Sequence, residues 1–183
     1  YNVTMKLTCL DLELNQPSGK IVQIGAVIGD TQTGAIIDRI RIYVNPREPV
    51  AEFITELCGI TQQQIDAEGV SLEEAYLQLK KFHKQANFIN PVSWGGGDSQ
   101  EIYDQLSEDA RKSWCFGRRW IDAKTVFVSQ MIAHQNHVES SGLAASMKRV
   151  GLQFAGRQHD AQDDAENTFK MYQYMLNSLR EGR

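Results

Sequence analysis

Cysteine is sparse in this chain, and what there is forms no pattern. Cys9, Cys58 and Cys115 stand far apart, with no C-x-x-C pair among them. That spacing argues against a disulfide framework and against a zinc knuckle. Free thiols fit a reducing setting, so a cytoplasmic location is expected. No apolar run approaches the roughly 20 residues that a membrane-spanning helix needs, and no membrane partner is expected. Nothing at the start reads as a signal peptide, and the opening on Tyr1 rather than Met reads as a few residues missing ahead of it. Internal repeats, low-complexity tracts and linkers are absent as well, so residues 1–183 read as one domain with a sizeable core.

Positive charge is also short, with a formal net charge of −4. Taken whole, that balance speaks against a polyanionic partner. The distribution speaks differently. Residues 1–110 carry a net −8, whereas residues 111–158 carry a net +6 from Arg111, Lys112, Arg118, Arg119, Lys124, Lys148, Arg149 and Arg157 against Asp122 and Glu139. An acidic region needs cations, and a basic region near it can hold phosphates. The plainer alternative is a set of solvated helix faces.

Residues 5–14 alternate as a strand does. Leu10, Leu12 and Leu14 share one face; Leu7, Cys9, Asp11 and Glu13 share the other. Apolar residues on both faces early in the run mark a central strand. Two more strands are expected over 21–28 and 36–44, joined by the turn-forming Asp30-Thr-Gln-Thr-Gly34, which makes an antiparallel meander. From Val50 the period becomes helical. Short helices are expected at 51–58 and 61–66, and a longer one over 71–85 opens on the capping-box spacing Ser71-Leu-Glu-Glu74. A short strand at 91–94 runs into Gly95-Gly-Gly97 and a helix beginning at Asp98. A second short strand at 119–121 precedes a helix through Ala133, and helices over 143–150 and from Asp163 complete the chain. A meander followed by strand–helix alternation predicts an α/β fold, a mixed sheet with helices on its faces.

Four carboxylates stand out from this frame. Asp11 and Glu13 lie two apart on one face of a central strand, where unpaired burial is costly and mutual repulsion adds to the cost. Bound cations would remove both penalties; a salt bridge to a lysine or an edge position would also do so. Asp98 follows a glycine run that allows close approach of a ligand, yet Asp98-Ser-Gln-Glu101 is itself a capping-box spacing. On the last helix the apolar stripe runs through Ala161, Ala165, Thr168, Tyr172, Met175, Leu176 and Leu179. Asp164 leads into Thr168 and Tyr172 at i+4 spacing, so it points inward, while Asp163, Glu166, Lys170 and Gln173 point away. Charge at a helix N-terminus accounts better for Asp160 and Asp163 than for Asp164. His159, five residues before Asp164, is placed to take a proton from water, although a lone histidine is commonly structural. His134 and His137 have metal-binding spacing but no third ligand, and read as surface residues.

In order along the chain, Asp11-Leu-Glu13, Trp94-Gly-Gly-Gly-Asp98 and His159-Asp-Ala-Gln-Asp-Asp164 resemble the three motifs of the DEDDh (DnaQ-like) 3′→5′ exonuclease superfamily. Gln23-Ile-Gly-Ala-Val27, Glu56-Leu-Cys-Gly-Ile-Thr61 and Ile121-Asp122 stand in the family's order too. The W-G-x-x-D and E-L-x-G-I-T forms are nearest the branch of histone-mRNA-type and sporulation-inhibitor-type exonucleases. The resemblance implies a ribonuclease H-like fold: a five-stranded mixed sheet, meander first and parallel strands after, with helices on both faces. It implies two Mg²⁺ or Mn²⁺ ions held by Asp11, Glu13, Asp98 and Asp164, with Asp11 bridging them. Glu13 and His159 are then catalytic, His159 as general base, and the substrate is the 3′ end of single-stranded RNA or DNA. Leu57 and Ile60 would pack against the terminal base. Two positions depart from the family: Leu14 replaces the usual Thr or Ser after the motif glutamate, at the substrate-binding position that contacts the terminal nucleotide, and Cys58 replaces the usual Thr of E-L-T-G-I-T.

Three rivals compete with this reading. A catalytically silent nucleic-acid-binding module would lose the acids, and all are present. A ribonuclease H-type endonuclease shares fold and metals but does not need His159. An HD-type phosphohydrolase could use His159-Asp160, but that class is all-helical and the opening strands oppose it.

Overall fold

A computed structural model of the chain describes residues 4–134 and 142–182. Five strands form one sheet in the order β3-β2-β1-β4-β5. The meander consists of β1 (Lys6–Leu14), β2 (Ile21–Asp30) and β3 (Ile36–Tyr43), paired antiparallel. Two short strands, β4 (Val92–Ser93) and β5 (Ile121–Asp122), add on parallel to β1. The expected mixed sheet is therefore present, and β1 is its central strand.

Its two faces are filled by different helices. Leu10, Leu12, Ile24 and Ile28 pack with Tyr76 and Leu79 of α3 (Leu72–His83) and Ile102 of α4 (Asp98–Gln105). On the opposite face Leu7, Cys9 and Val27 pack with Phe127 of α6 (Ala123–Ala133), Met147 of α7 (Leu143–Arg149), and Phe169 and Met175 of α8 (Ala161–Glu181). Between β3 and α3, the short helices α1 (Glu52–Cys58) and α2 (Gln62–Glu68) close over Val22.

Helix α8 lies directly against β2, and two glycines make that possible. A Cβ at Gly25 would come within 2.0 Å of the Ala161 carbonyl carbon, and one at Gly29 within 2.2 Å of the Phe169 ring. Gly25 is the register partner of Asp11, so α8 begins on the face of the sheet that carries Asp11. The inward stripe of α8 holds as far as Met175, whereas Leu179 is 58% exposed where the helix outruns the sheet. Helix α8 starts at Ala161, two residues before the sequence-based start, because Asp160 caps it by accepting from the Asp163 amide. Helix α5 (Glu108–Lys112), five residues long and capped by Ser107, is too short to leave a periodic signal. Among the described residues no helix is long and apolar enough to cross a membrane. His134 is exposed at the end of α6; His137 lies outside the described residues.

Candidate active site

Three elements bring the four acids together. β1 supplies Asp11 and Glu13 near its carboxyl end, α4 supplies Asp98 from its first residue, and α8 supplies Asp164 from its first turn. One carboxylate oxygen each of Glu13 and Asp164 and a ring nitrogen of His159 lie within 4.8 Å of one another. Asp11 and Asp98 are outside that trio, but the charges of Asp98, Asp164 and Glu13 all act on Asp11.

The bland explanations of these acids fail on contact with the structure. No lysine or arginine among the described residues forms an ion pair with Asp11, Glu13, Asp98 or Asp164. β1 is central, so an edge position is excluded as well. Asp98 does not cap α4: the cap position is Gly97, at φ 120°, and the Asp98 carboxylate makes no hydrogen bond among the described residues. The glycine at 97 reaches a conformation that side chains rarely adopt, and this turns Asp98 into the helix with its carboxylate free. Asp122 steadies the turn from the far side, accepting from the Gly95 amide at 3.0 Å while capping α6.

The electrostatics follow from burial and crowding. Burial raises Asp11 well above the ordinary carboxylate range, and Asp98, Asp164 and Glu13 push it the same way. Asp98 is raised to about 7, first by burial and then by Glu13, Glu101 and Asp122. Asp164 is likewise raised to about 7 by burial and then by Glu13. Glu13 is raised by burial, against the opposing Cys58 hydrogen bond and the His159 charge. A site that penalises four carboxylates in this way, and offers only hard oxygen donors with one imidazole, fits Mg²⁺ or Mn²⁺.

The register at the third motif is clear. The Oδ2 atom of Asp164 accepts the His159 backbone N–H at 3.0 Å, whereas Asp163 accepts the Arg157 N–H at 2.8 Å and lies 3.8 Å from Arg41. Asp164 therefore belongs to the cluster, and Asp163 holds the preceding loop. His159 sits at φ 64°, a left-handed conformation that costs a non-glycine residue about 1–2 kcal/mol. Its imidazole borders a cleft of about 340 Å³ that also exposes Asp11, Trp94, Phe154 and Asp164.

Several participants were missed from the sequence. The Cys58 thiol donates to Glu13 Oε2 at 3.1 Å, so the departure from the family's threonine still places a donor there. Gln23 donates to Asp160 and accepts from the Ala161 amide, and Arg41 holds Asp160 with two nitrogens at 2.8–3.2 Å. The Trp94 indole N–H is buried beside the cleft with no hydrogen-bond partner among the described residues. The proposed base contacts divide. Leu57 is 37% exposed and Leu14 half-buried, but Ile60 is 1% exposed beneath α1 and α2 with Ile54 and Ile65, so it backs the wall and offers a base no surface.

A mixed five-stranded sheet with four acids gathered near the end of its central strand, none of them ion-paired among the described residues, is a class of site that divalent metal ions fit. Comparison with known proteins narrows the class. The profile of the RNase_T exonuclease family matches residues 7–172, and the chain belongs to that family. It is 29% identical over 189 residues to ERI1 exoribonuclease 2 of Mus musculus, covering 91% of this chain and 27% of that protein. It is 24% identical over 166 residues to 3′-5′ exoribonuclease 1 of Homo sapiens, covering 86% and 46%. The chain thus spans about a quarter to a half of the length of these relatives. Among solved structures, the nuclease domain of 3′hExo, a DEDDh family member bound to rAMP, superposes with a TM-score of 0.80 at 20% identity, over 97% of this chain and 94% of that one. Cell-death related nuclease 4 superposes with a TM-score of 0.75 at 20% identity, over 96% and 64%. The ribonuclease H-like fold expected from the motifs is the fold these neighbours share.

Proposed function

We propose that this chain is a 3′→5′ exonuclease, releasing nucleoside monophosphates from the 3′ ends of single-stranded RNA or DNA with two Mg²⁺ or Mn²⁺ ions. The observation that carries the proposal is the convergence of Asp11, Glu13, Asp98 and Asp164 without a cationic partner, with His159 beside them. Family membership and the 3′→5′ exoribonuclease relatives support the polarity. A reducing, cytoplasmic setting belongs to the same reading, resting on three free cysteines.

Asp11, Glu13, Asp98 and Asp164 would hold the ions, which when bound lower the pKa of water and offset charge on the phosphate. The residues of the chain do the rest. A ring nitrogen of His159 takes a proton from the water that attacks phosphorus, as the bond from phosphorus to the 3′-oxygen breaks. The left-handed backbone at His159, tied by its N–H to Asp164, presents the imidazole to the cleft. The Cys58 thiol occupies one oxygen of Glu13 and leaves the other for an ion. Leu57 and Leu14 flank the terminal base.

Matched 5′-labelled single-stranded RNA and DNA oligomers, incubated with Mg²⁺, Mn²⁺ or EDTA, test this. Shortening one nucleotide at a time from the 3′ end, abolished by EDTA, is expected. Internal cuts would make it an endonuclease, and binding without cleavage would make it a silent module.

A further inference from the structure

Beside Asp98, the Ser99, Gln100 and Tyr103 side of α4 faces Arg111, Trp114 and Arg118 across a hollow of about 480 Å³. No carboxylate lines it, in a chain with 23 acids and 19 bases. The nearby Asp104 has its Oδ1 taken up by Gln100 Nε2 at 2.6 Å. Arg118 is exposed and has no anionic partner among the described residues. Arg111 lies over Tyr103, its guanidinium carbon 5.2 Å from the ring centroid. Its Nε and Nη2 donate to the carbonyls of Tyr103 and Asp104 at 2.7 and 2.5 Å, which leaves Nη1 uncommitted.

The aromatic wall is stiff. Trp114 stacks on the buried Tyr76 ring at 6.0 Å and 7°, meets Phe116 edge-on at 5.2 Å, and receives Tyr103 edge-on at 5.3 Å. Rings and a guanidinium plane fixed in this way form a stacking surface before any ligand arrives, with a free cation at its border. Single-stranded nucleic acid is what such a surface suits, since bases stack on aromatic and guanidinium planes while phosphates take the cations. An acidic peptide would use the cations and leave the planes idle. The position is also suitable. Tyr103 is five residues beyond Asp98 on one helix, about 7.5 Å along its axis at ~1.5 Å per residue. At ~3.4 Å per strand step, that is about two nucleotides from the quartet.

We propose that this hollow seats the nucleotides upstream of the cleaved end, a base stacking on the exposed Tyr103–Arg111 side of the wall that Trp114 braces and a phosphate pairing with Arg118. The proposal rests on the exonuclease reading for the identity of its ligand. Its test is therefore made first without cleavage, as binding of a fluorescent single-stranded 12-mer RNA in EDTA. Arg118→Glu, at an exposed position, should weaken binding by about tenfold, the loss of one charge-assisted contact, and lower the salt slope by about one. Tyr103→Leu should weaken binding and leave the slope alone. With Mn²⁺, both variants should raise KM for the 12-mer several-fold, while hydrolysis of the p-nitrophenyl ester of thymidine monophosphate, too small to reach the hollow, stays at the wild-type rate. Unaltered 12-mer affinity in both variants would overturn the proposal, as would equal losses on the 12-mer and the small ester. A wild-type protein that binds the 12-mer through Arg118 but cleaves neither substrate would remove the exonuclease reading and leave the seat standing.

Discussion

Replacing Asp98 by Asn should stabilise the metal-free protein, because this carboxylate is held against its own charge. Its pKa is raised from 3.8 to about 7 by burial and by neighbouring acids. Between those values the folded chain binds more protons than the unfolded chain. Stability is therefore full below about pH 4, falls as pH rises, and levels off above about pH 7. At about 1.36 kcal/mol per pH unit the ionised carboxylate costs on the order of 4 kcal/mol. Against this, Asp98 opens α4, where a negative charge contributes about 0.3–1 kcal/mol through the helix dipole. The burial penalty wins, and since the Asp98 carboxylate makes no hydrogen bond among the described residues there is none to lose. A gain of about 2–3 kcal/mol is expected at pH 8 in EDTA, read as about 5–10 °C in Tm for a chain of this size. At pH 4 the folded carboxyl is protonated and burial of its charge no longer costs stability, so the two proteins should melt nearly together. Millimolar Mn²⁺ should reverse the order, raising the wild-type Tm more than that of the variant, since a ligand at a hundredfold over its Kd adds about 2.7 kcal/mol. Thermal melts at pH 4 and 8, with EDTA or Mn²⁺, contain every comparison. An Asp98→Asn protein that melts at or below wild type in EDTA at pH 8 would show that the quartet is not strained, and the reason for placing ions there would go with it.

Other outcomes follow from the same geometry. His159→Ala should lower kcat by roughly 10²- to 10⁴-fold while 12-mer binding stays nearly intact; full activity would reopen the endonuclease reading. Asp164→Asn should abolish cleavage, whereas Asp163→Asn, which loosens the Arg157 loop and a long contact to Arg41, should keep most of it in the same gel assay; the reverse ranking would put the helix one residue out of phase. Leu57→Ala should raise KM with little change in kcat, and Ile60→Val should change neither beyond a small loss of Tm; a larger KM effect at Ile60 would show that the base reaches the buried wall.

What was legible in the sequence was whatever a period or an unmatched charge could carry. The alternation in β1 placed Asp11 and Glu13 on the face opposite Leu10 and Leu12, and the stripe of α8 separated Asp164 from Asp163. Both are local geometry, which a strand or helix repeats without help from the rest of the chain. Asp98 was ambiguous because a helix-capping aspartate and a free one share the same spacing. The difference is the φ 120° at Gly97, which moves the cap back by one residue. Ile60 could not be placed because its burial depends on α1 and α2 folding over Val22, a contact between segments distant in sequence.

The conformation of His159 depends on residues more than a hundred positions away. A histidine alone would leave φ 64° readily, since that backbone costs it energy. Two sets of contacts hold it. Asp164 takes its N–H, and the next residue, Asp160, is clamped by Arg41 and Gln23 from two adjacent strands. Gly25, facing Asp11 in the sheet register, lets the first turn of α8 come close enough for that clamp to reach. Gln23 and Gly25 lie on one face of β2, two residues apart, so a single strand both pairs with the strand bearing Asp11 and Glu13 and fixes the helix bearing Asp164. That coupling explains why a Gln-x-Gly in a strand with no chemistry of its own accompanies the acidic motifs: the distance between the first and third motifs is set through β2. Arg41→Leu should then leave the fold intact yet lower kcat more than it raises KM, with Arg41→Lys recovering part of the loss. An Arg41→Leu enzyme whose kcat matches wild type would show that Asp164 and its own cap suffice to hold His159.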